Sequence, residues 1–405
     1  MESQYWNDEV QQSAWLLDYD RRCMLDCADT FQNLAAVMGE MNWELEQEKT
    51  PDDREELLRR RQAMESRKQY AAHMRQMAGM LQSVADTSVQ LIRLGGRQEK
   101  QIVRALAGEG IVVEDIYLLR GKEDRLQITI SVRLTKNKSM TVEEIAGYLS
   151  VLMDIRLVPQ KRNPYFVGEE SVSLYFEEEP IFSCLTAAAC ATEETESVSG
   201  DSYSFLETDD SVAMILSDGV GSGESAARDS GRIVDLTERI LDAGLGPDMA
   251  MLFLNGMAGA EGDENRMATL DLCRIDLYRG ECETVKAGGA AGFIKRSDRV
   301  EKIQSRQLPL GMSASEDISE KKWQLNSGDL VILVSDGVVK NWPCGDGEYL
   351  LEQKIASLNV SSPVDLANLI LRYAIRQCGG KIRDDMTVLV TGIWKNEERE
   401  IEDIE

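Results

Sequence analysis

The chain has 405 residues, with 45 Lys and Arg against 71 Asp and Glu, for a formal charge of −26. Its length exceeds one ordinary core and implies two or three domains, and its acidity excludes nucleic acid and anionic lipid as partners because like charges repel. A single histidine, His73, excludes multi-histidine metal sites and any Ser-His-Asp relay in the C-terminal half, while eight cysteines without a C-x-x-C pair point to a reducing compartment.

The N-terminus, Met1-Glu2-Ser3-Gln4-Tyr5, lacks the basic and apolar regions of a signal peptide. Apolar runs such as Leu330 to Val334 fall far short of the roughly 20 residues that span a bilayer. The expectation is a soluble, cytoplasmic chain with no membrane span.

Residues 1–108 read as a helical region for regulation or oligomerisation. Cys27, Phe31, Leu34, Met38, Met41 and Leu45 recur at spacings of four and three, which places an apolar stripe along one helix face. A second helix begins at Thr50, with Pro51 in its first turn and Asp52 and Asp53 at the positive dipole end. Met74, Met77, Leu81, Val84 and Leu91 continue the pattern until Gly95-Gly96 stops it. Two readings stand open: a helical hairpin packed within its own chain, or a coiled coil through which the chain self-associates. His73 reads as a surface residue on a charged helix face.

Residues 109–179 read as a small mixed α+β segment without chemistry of its own. Strands are predicted over 111–119 and 126–134, joined by a turn at Gly121-Lys122-Glu123-Asp124. Thr141 with Glu144 forms a candidate capping box for a helix through Met153, and 171–176 alternates as another strand.

From Pro180 onward, short strands are punctuated by Gly, Asp and Ser. The run from Thr269 to Leu277 alternates strictly, as a half-buried antiparallel strand should. Helices are predicted over 223–243, 247–258, 347–358 and 363–377. Runs of strands separated from pairs of helices imply packed sheets flanked by helices, an α+β architecture. This domain is expected over 180–394, followed by a solvated acidic tail, 395–405.

Chemistry concentrates in a repeated phrase. Met214-Ile215-Leu216-Ser217-Asp218-Gly219 and Ile332-Leu333-Val334-Ser335-Asp336-Gly337 each run an apolar strand into Ser-Asp-Gly. The strand is a rigid support, and glycine lets the backbone turn away just after the carboxylate. Arg383-Asp384-Asp385-Met386-Thr387 reverses the order and precedes a strand, and Gly200-Asp201 opens another. One Asp-Gly alone is an ordinary turn. Carboxylates converging from several strand ends repel one another, and hard divalent cations are the natural remedy. Two such ions can activate a water and clamp a phosphoryl group for in-line attack.

Two rival motifs carry less. Cys273 and Arg279 satisfy the C-x5-R spacing of cysteine phosphatases, but they lie on an alternating strand with no glycine loop to cradle phosphate, and they read as core. Gly221-Ser222-Gly223-Glu224-Ser225-Ala226 mimics a dinucleotide fingerprint, which needs a parallel β-α-β unit to mean anything.

The ordered set Val198-Ser199-Gly200-Asp201-Ser202-Tyr203, Ser217-Asp218-Gly219-Val220-Gly221, Ser335-Asp336-Gly337 and Asp384-Asp385-Met386-Thr387 resembles the metal-dependent type 2C protein phosphatases, in particular their sporulation branch. Thr269 to Leu272 and Phe293-Ile294-Lys295-Arg296 extend the likeness. The resemblance implies a β-sandwich flanked by helices with two Mn²⁺ or Mg²⁺ ions at one end. Asp218 would bridge both ions, the Gly219 carbonyl would bind one, Asp336 and Asp384 the other, and Asp201 would act through water. The three aspartates Asp218, Asp336 and Asp384 are then the catalytic set. Many members carry Asp-Asn where this chain has Asp384-Asp385, so Asp384 is the preferred ligand with Asp385 as a helper. No arginine matches the phosphate clamp of the eukaryotic members. The implied substrate is a phosphorylated anti-anti-sigma factor, whose dephosphorylation activates a sporulation sigma factor. The resemblance implies a membrane anchor ahead of the helices in the sporulation relatives; with no such apolar span in the given residues, the expectation is either a soluble fragment or a soluble relative. A different class of function is a catalytically silent module that binds a phosphoprotein without hydrolysing it.

Overall fold

The computed structural model describes residues 24–25, 27–33, 35–36, 71–72, 74–75, 77–82, 85, 90–92, 96–120, 125–136, 138–221, 223–260, 268–304, 308–310, 321–340, 342 and 346–396. The chain divides into two compact units, residues 1–179 with 398–405, and residues 180–397. Among the described residues no helix is long and apolar enough to cross a membrane.

In the first unit the described residues of 24–36 and 71–85 are helical. The buried positions are Ala28 and Ala35, then Ala71, Ala78 and Ala85, each at most 2% exposed. Their spacing of seven marks one face of each helix. This corrects the stripe read from the larger side chains: Cys27 and Met77 are exposed, and Phe31, Met74 and Leu81 are only half-buried. A second correction concerns Leu91, which lies in strand β1 (Gln90–Ile92) and not in a helix. Gly96 opens helix α1 (Gly96–Gly108), where it was expected to help stop the preceding one. His73, Leu34, Met38, Met41, Leu45, the helix start at Thr50 and the turn at 121–124 lie outside the described residues.

The remainder of this unit comprises β2 (Ile111–Arg120), β3 (Leu126–Leu134), β4 (Met140–Thr141), α2 (Val142–Met153), β5 (Leu157–Pro159), β6 (Phe166–Val167) and β7 (Val172–Glu178). One antiparallel sheet runs β1-β2-β3-β7-β5. Leu106 from α1, Ile145 and Leu149 from α2, and Ile128, Ile130, Leu174 and Phe176 from the sheet share one core. The expected capping box is present: the Thr141 hydroxyl accepts the Glu144 N–H at 3.2 Å, and Glu144 accepts the Thr141 N–H at 2.7 Å.

The second unit holds β8 (Phe182–Ala191), β9 (Asp201–Glu207), β10 (Ser211–Asp218), α3 (Gly223–Asp242), α4 (Pro247–Ala260), β11 (Leu270–Asp276), β12 (Glu281–Ala287), β13 (Gly292–Lys295), β14 (Val300–Ile303), β15 (Lys321–Gln324), β16 (Leu330–Val334), α5 (Asp336–Val339), α6 (Gly347–Ser357), α7 (Pro363–Gln377) and β17 (Met386–Lys395). Two five-stranded antiparallel sheets result, β15-β12-β11-β10-β9 and β14-β13-β16-β17-β8.

The period of two along β16 shows how they stack. Val331 and Leu333 join Met214, Leu216, Cys273 and Ile275 of the other sheet in the sandwich interior. Leu330, Ile332 and Val334 face the opposite way, into a core with Leu351 and Ile355 of α6 and Leu366 and Ile370 of α7. Both faces of β16 are buried, so its five-residue apolar run has no polar face at all. A fully buried phenylalanine such as Phe293 contributes about 1.5–3 kcal/mol through the apolar surface it removes from water. On the other sheet, α3 lies against β9 and β10, and α4 against β11 and β12. The expected β-sandwich flanked by helices is what the chain forms.

Candidate metal centre

β9 and β10 pair antiparallel so that Asp201 and Asp218 are direct register partners. Like charges set opposite each other across a sheet destabilise it unless something neutralises them. On the second sheet, β16 ends at Val334 beside the start of β17. There the Ser335 N–H donates to the Thr387 carbonyl at 3.0 Å, and the Thr387 N–H donates to the Ser335 hydroxyl at 2.9 Å. This clasp brings Asp336, just after β16, next to Asp384, just before β17. Asp336 was expected at a bare strand-to-turn corner and instead opens the short helix α5, with Ser335 at its N-cap.

The four carboxylates share one field. The Asp218 carboxyl is pushed up to about 8 by burial, then by the neighbouring Asp201, Asp336 and Asp384 charges, with Lys340 partly offsetting them. Burial likewise pushes Asp201 up to about 7; the Ser335 and Thr387 hydroxyls pull against that, and Asp385 and Asp336 add to it. Asp201 Oδ2 is buried without a hydrogen-bond partner. A buried, unpartnered carboxylate oxygen facing another carboxylate is where a hard cation fits, and every donor here is oxygen.

Glycine follows both Ser-Asp pairs for a steric reason. A Cβ on Gly219 would stand 2.3 Å from the Ala226 carbonyl oxygen of α3, and one on Gly337 would stand 2.1 Å from the Asp385 carbonyl oxygen. The first glycine lets α3 pack against the end of β10, where Gly219 also forms a bridge to Ala268. The second lets α5 pack onto the Asp384-Asp385 turn.

Asp385 differs from the other aspartates. Its Oδ1 accepts the Glu193 N–H at 2.9 Å and its Oδ2 accepts the Gly200 N–H at 2.6 Å, and the residue is buried. Both oxygens are engaged by backbone donors of the loop that delivers Asp201. Asp384 turns toward Asp336: the Lys340 ammonium lies 3.1 Å from Asp336 Oδ2 and 3.2 Å from Asp384 Oδ2. Among the described residues, no group of three or more Asp, Glu, Cys or His side chains stands arranged to hold a metal ion.

Lys340 escaped the sequence reading, although its signal was present as an i,i+4 partner of Asp336. The backbone donors that engage Asp385 come from distant residues, and a sequence does not show where a carboxylate's hydrogen bonds go. The two rival motifs dissolve in the fold. Cys273 is fully buried in β11 with its sulfur against that of Cys282. The strand before Gly221 has antiparallel neighbours on both sides, so no β-α-β unit exists there. The six described cysteines are free, with Cys27 and Cys190 exposed.

Comparison with known proteins adds four likenesses. A family model described as Stage II sporulation protein E (SpoIIE) matches residues 208–393. The chain is 30% identical over 328 residues to stage II sporulation protein E of Bacillus subtilis (strain 168), covering 79% of this chain and 39% of that protein. To phosphoserine phosphatase RsbU of the same organism it is 24% identical over 200 residues, covering 48% of this chain and 59% of that one. The chain thus spans less than two thirds of the length of these curated relatives. Among solved structures, the PP2C phosphatase domain with a regulatory-domain fragment of the cell fate determinant SpoIIE from Bacillus subtilis superposes with a TM-score of 0.62 at 26% identity. That match covers 85% of this chain and 100% of the solved one.

Proposed function

We propose, on the likeness to stage II sporulation protein E and to its PP2C phosphatase domain, that the chain is a phosphatase of this type and that residues 180–394 hydrolyse phosphoserine or phosphothreonine esters on a partner protein with the help of two divalent cations. The observation that carries this reading is the register pairing of Asp201 with Asp218 in one field with Asp336 and Asp384.

Asp218 with the Gly219 carbonyl would hold one ion and Asp336 with Asp384 the other, with Asp218 shared and Asp201 acting through water. Mn²⁺ or Mg²⁺ bound there supplies the positive charge and Lewis acidity that ready a water and steady the phosphoryl group. The chain's own part is placement. Two buried strands fix Asp218 and Asp336, and the Ser335–Thr387 clasp fixes Asp384 against Asp336. Asp385 holds the Gly200-Asp201 turn and is assigned no ligand role.

The substrate class proposed is a phosphoserine on an anti-anti-sigma factor, as the resemblance to the sporulation phosphatases implies. A cytoplasmic location, and regulation or self-association through residues 1–108, are proposed on the same footing, with 109–179 as a connecting α+β segment and 395–405 as an acidic tail.

The test is Mn²⁺-dependent release of phosphate from a phosphoserine-bearing anti-anti-sigma factor. Asp218→Asn and Asp336→Asn are expected to abolish release while circular dichroism shows the fold retained. A wild-type chain that binds the phosphoprotein yet releases no phosphate at any Mn²⁺ concentration would establish the silent binding module instead.

A further inference from the structure

The Lys340 contacts join two parts of the chain that the sequence keeps apart. Helix α5 is one turn long, and the Lys340 N–H closes it by donating to the Asp336 carbonyl at 2.8 Å. That turn folds the lysine side chain back over the Asp336 carboxylate, as an i,i+4 pair does on any helix. Such an exposed pair alone is ordinary and contributes little. The second contact is not local. Asp384 reaches Lys340 from the turn before β17, and its other oxygen accepts the Asp385 N–H at 3.1 Å. One ammonium therefore sits between two carboxylate oxygens delivered at the ends of different strands, one after β16 and one before β17.

We infer that Lys340 is a built-in counter-ion for the Asp336–Asp384 half of the centre, a positioning residue that draws the two carboxylates together in the metal-free protein and yields its place to an incoming divalent cation. The inference rests on the metal reading proposed above. An ammonium within hydrogen-bonding distance of both Oδ2 atoms and a divalent ion on those same atoms repel each other at a few ångströms, so one excludes the other. The lysine can leave readily. Its side chain is 55% exposed, its stem is flexible, and a hydrated ammonium loses little on swinging into water. A guanidinium, with a rigid fork of donors, would grip the pair of carboxylates and resist displacement. Lys340 thereby does two opposing things: it spares the metal-free protein the repulsion between Asp336 and Asp384, and it competes with the cation for them.

The experiment is a calorimetric titration of Mn²⁺ into the full chain after stripping with chelator, paired with melting temperatures of the stripped and Mn²⁺-loaded protein. Lys340→Gln is expected to tighten Mn²⁺ binding by about three- to tenfold, the scale of two exposed ion pairs removed from competition. The stripped Lys340→Gln protein is expected to melt below the stripped wild type, with the gap closing once Mn²⁺ is bound. Lys340→Arg is expected to bind Mn²⁺ no more tightly than wild type. Equal or weaker Mn²⁺ binding by Lys340→Gln would overturn the counter-ion role while leaving the metal centre standing. A wild-type chain that takes up no Mn²⁺ would overturn the metal reading itself, and this inference with it.

Discussion

Asp385 Oδ2 accepts the Gly200 N–H at 2.6 Å, so the last acidic motif of the chain holds the first in place. Gly200 is gripped from its other side as well, since the Ser230 hydroxyl of α3 donates to its carbonyl at 2.7 Å. Residue 201 starts β9 from that fixed point, and its carboxylate arrives opposite Asp218 because the register begins there.

Replacing Asp385 tests this scaffold role. Asp385→Ala strands one buried backbone donor, Gly200, and one part-buried donor, Glu193, and is expected to cost about 2–4 kcal/mol, summing hydrogen bonds to a charged group. Asp385→Asn keeps one acceptor and should recover part of that loss. Urea denaturation of the two variants measures the difference. Equal stability of wild type and Asp385→Ala would show that the two backbone contacts contribute nothing.

The raised carboxyl pKa values give the metal-free protein a defined pH response. Asp201 at about 7 and Asp218 at about 8 both lie above the usual aspartate range, so the folded protein holds protons that the unfolded chain releases. The stability linked to them is fully present below the unfolded value of about 4 and is lost as pH rises through 7 and 8. Chelator-treated protein should therefore melt at lower temperature at about pH 8.5 than at about pH 6, and saturating Mn²⁺ should remove most of that decline. A melting temperature that rises over this interval in the metal-free protein would contradict the placement of the two carboxylates.

Gly337 has no room for a side chain, because its Cβ would meet the Asp385 carbonyl oxygen at 2.1 Å and backbone does not yield as a flexible side chain does. Gly337→Ala is expected to lose about 1–3 kcal/mol through the forced shift of α5 against the 384–385 turn. Mn²⁺ affinity should fall with it, since that shift separates Asp336 from Asp384. Calorimetry and thermal melts on the same sample read both effects.

A control for stability without chemistry lies at Arg296. Its guanidinium is buried between Asp329 at 2.6 Å and Glu301 at 2.9 Å, and it also donates to the Gln324 carbonyl at 3.0 Å. It adjoins the start of β16, whereas the carboxylates gather past its end. Arg296→Ala leaves Asp329 buried without its partner and is expected to cost about 3–5 kcal/mol. At a temperature where the variant is still folded, Mn²⁺ binding should match wild type.

Much of the second unit was legible from residue order. Alternation from Thr269 to Leu277 announced an antiparallel strand, and the observed helices 223–242, 247–260, 347–357 and 363–377 follow the predicted spans closely. These features are local: a strand's period of two, a Ser362 cap with Pro363 behind it, a glycine after a helix. The first unit was less legible. Alanine reads as neutral in an apolar pattern, which favours the larger methionines beside Ala71, Ala78 and Ala85, yet the alanines are the buried positions.

Sequence by itself determined where each carboxylate sits on its own strand, because Ser-Asp-Gly after an apolar run is a statement about neighbouring residues. Only the tertiary structure decided which donors and charges each carboxylate meets. Asp384 and Asp385 are adjacent and chemically identical, and they separate because one meets Lys340 and Asp336 while the other meets the backbone N–H groups of Glu193 and Gly200. A side chain's role depends on the donors and charges that folding brings within about 3 Å of it, and for Asp385 those come from more than 180 residues away.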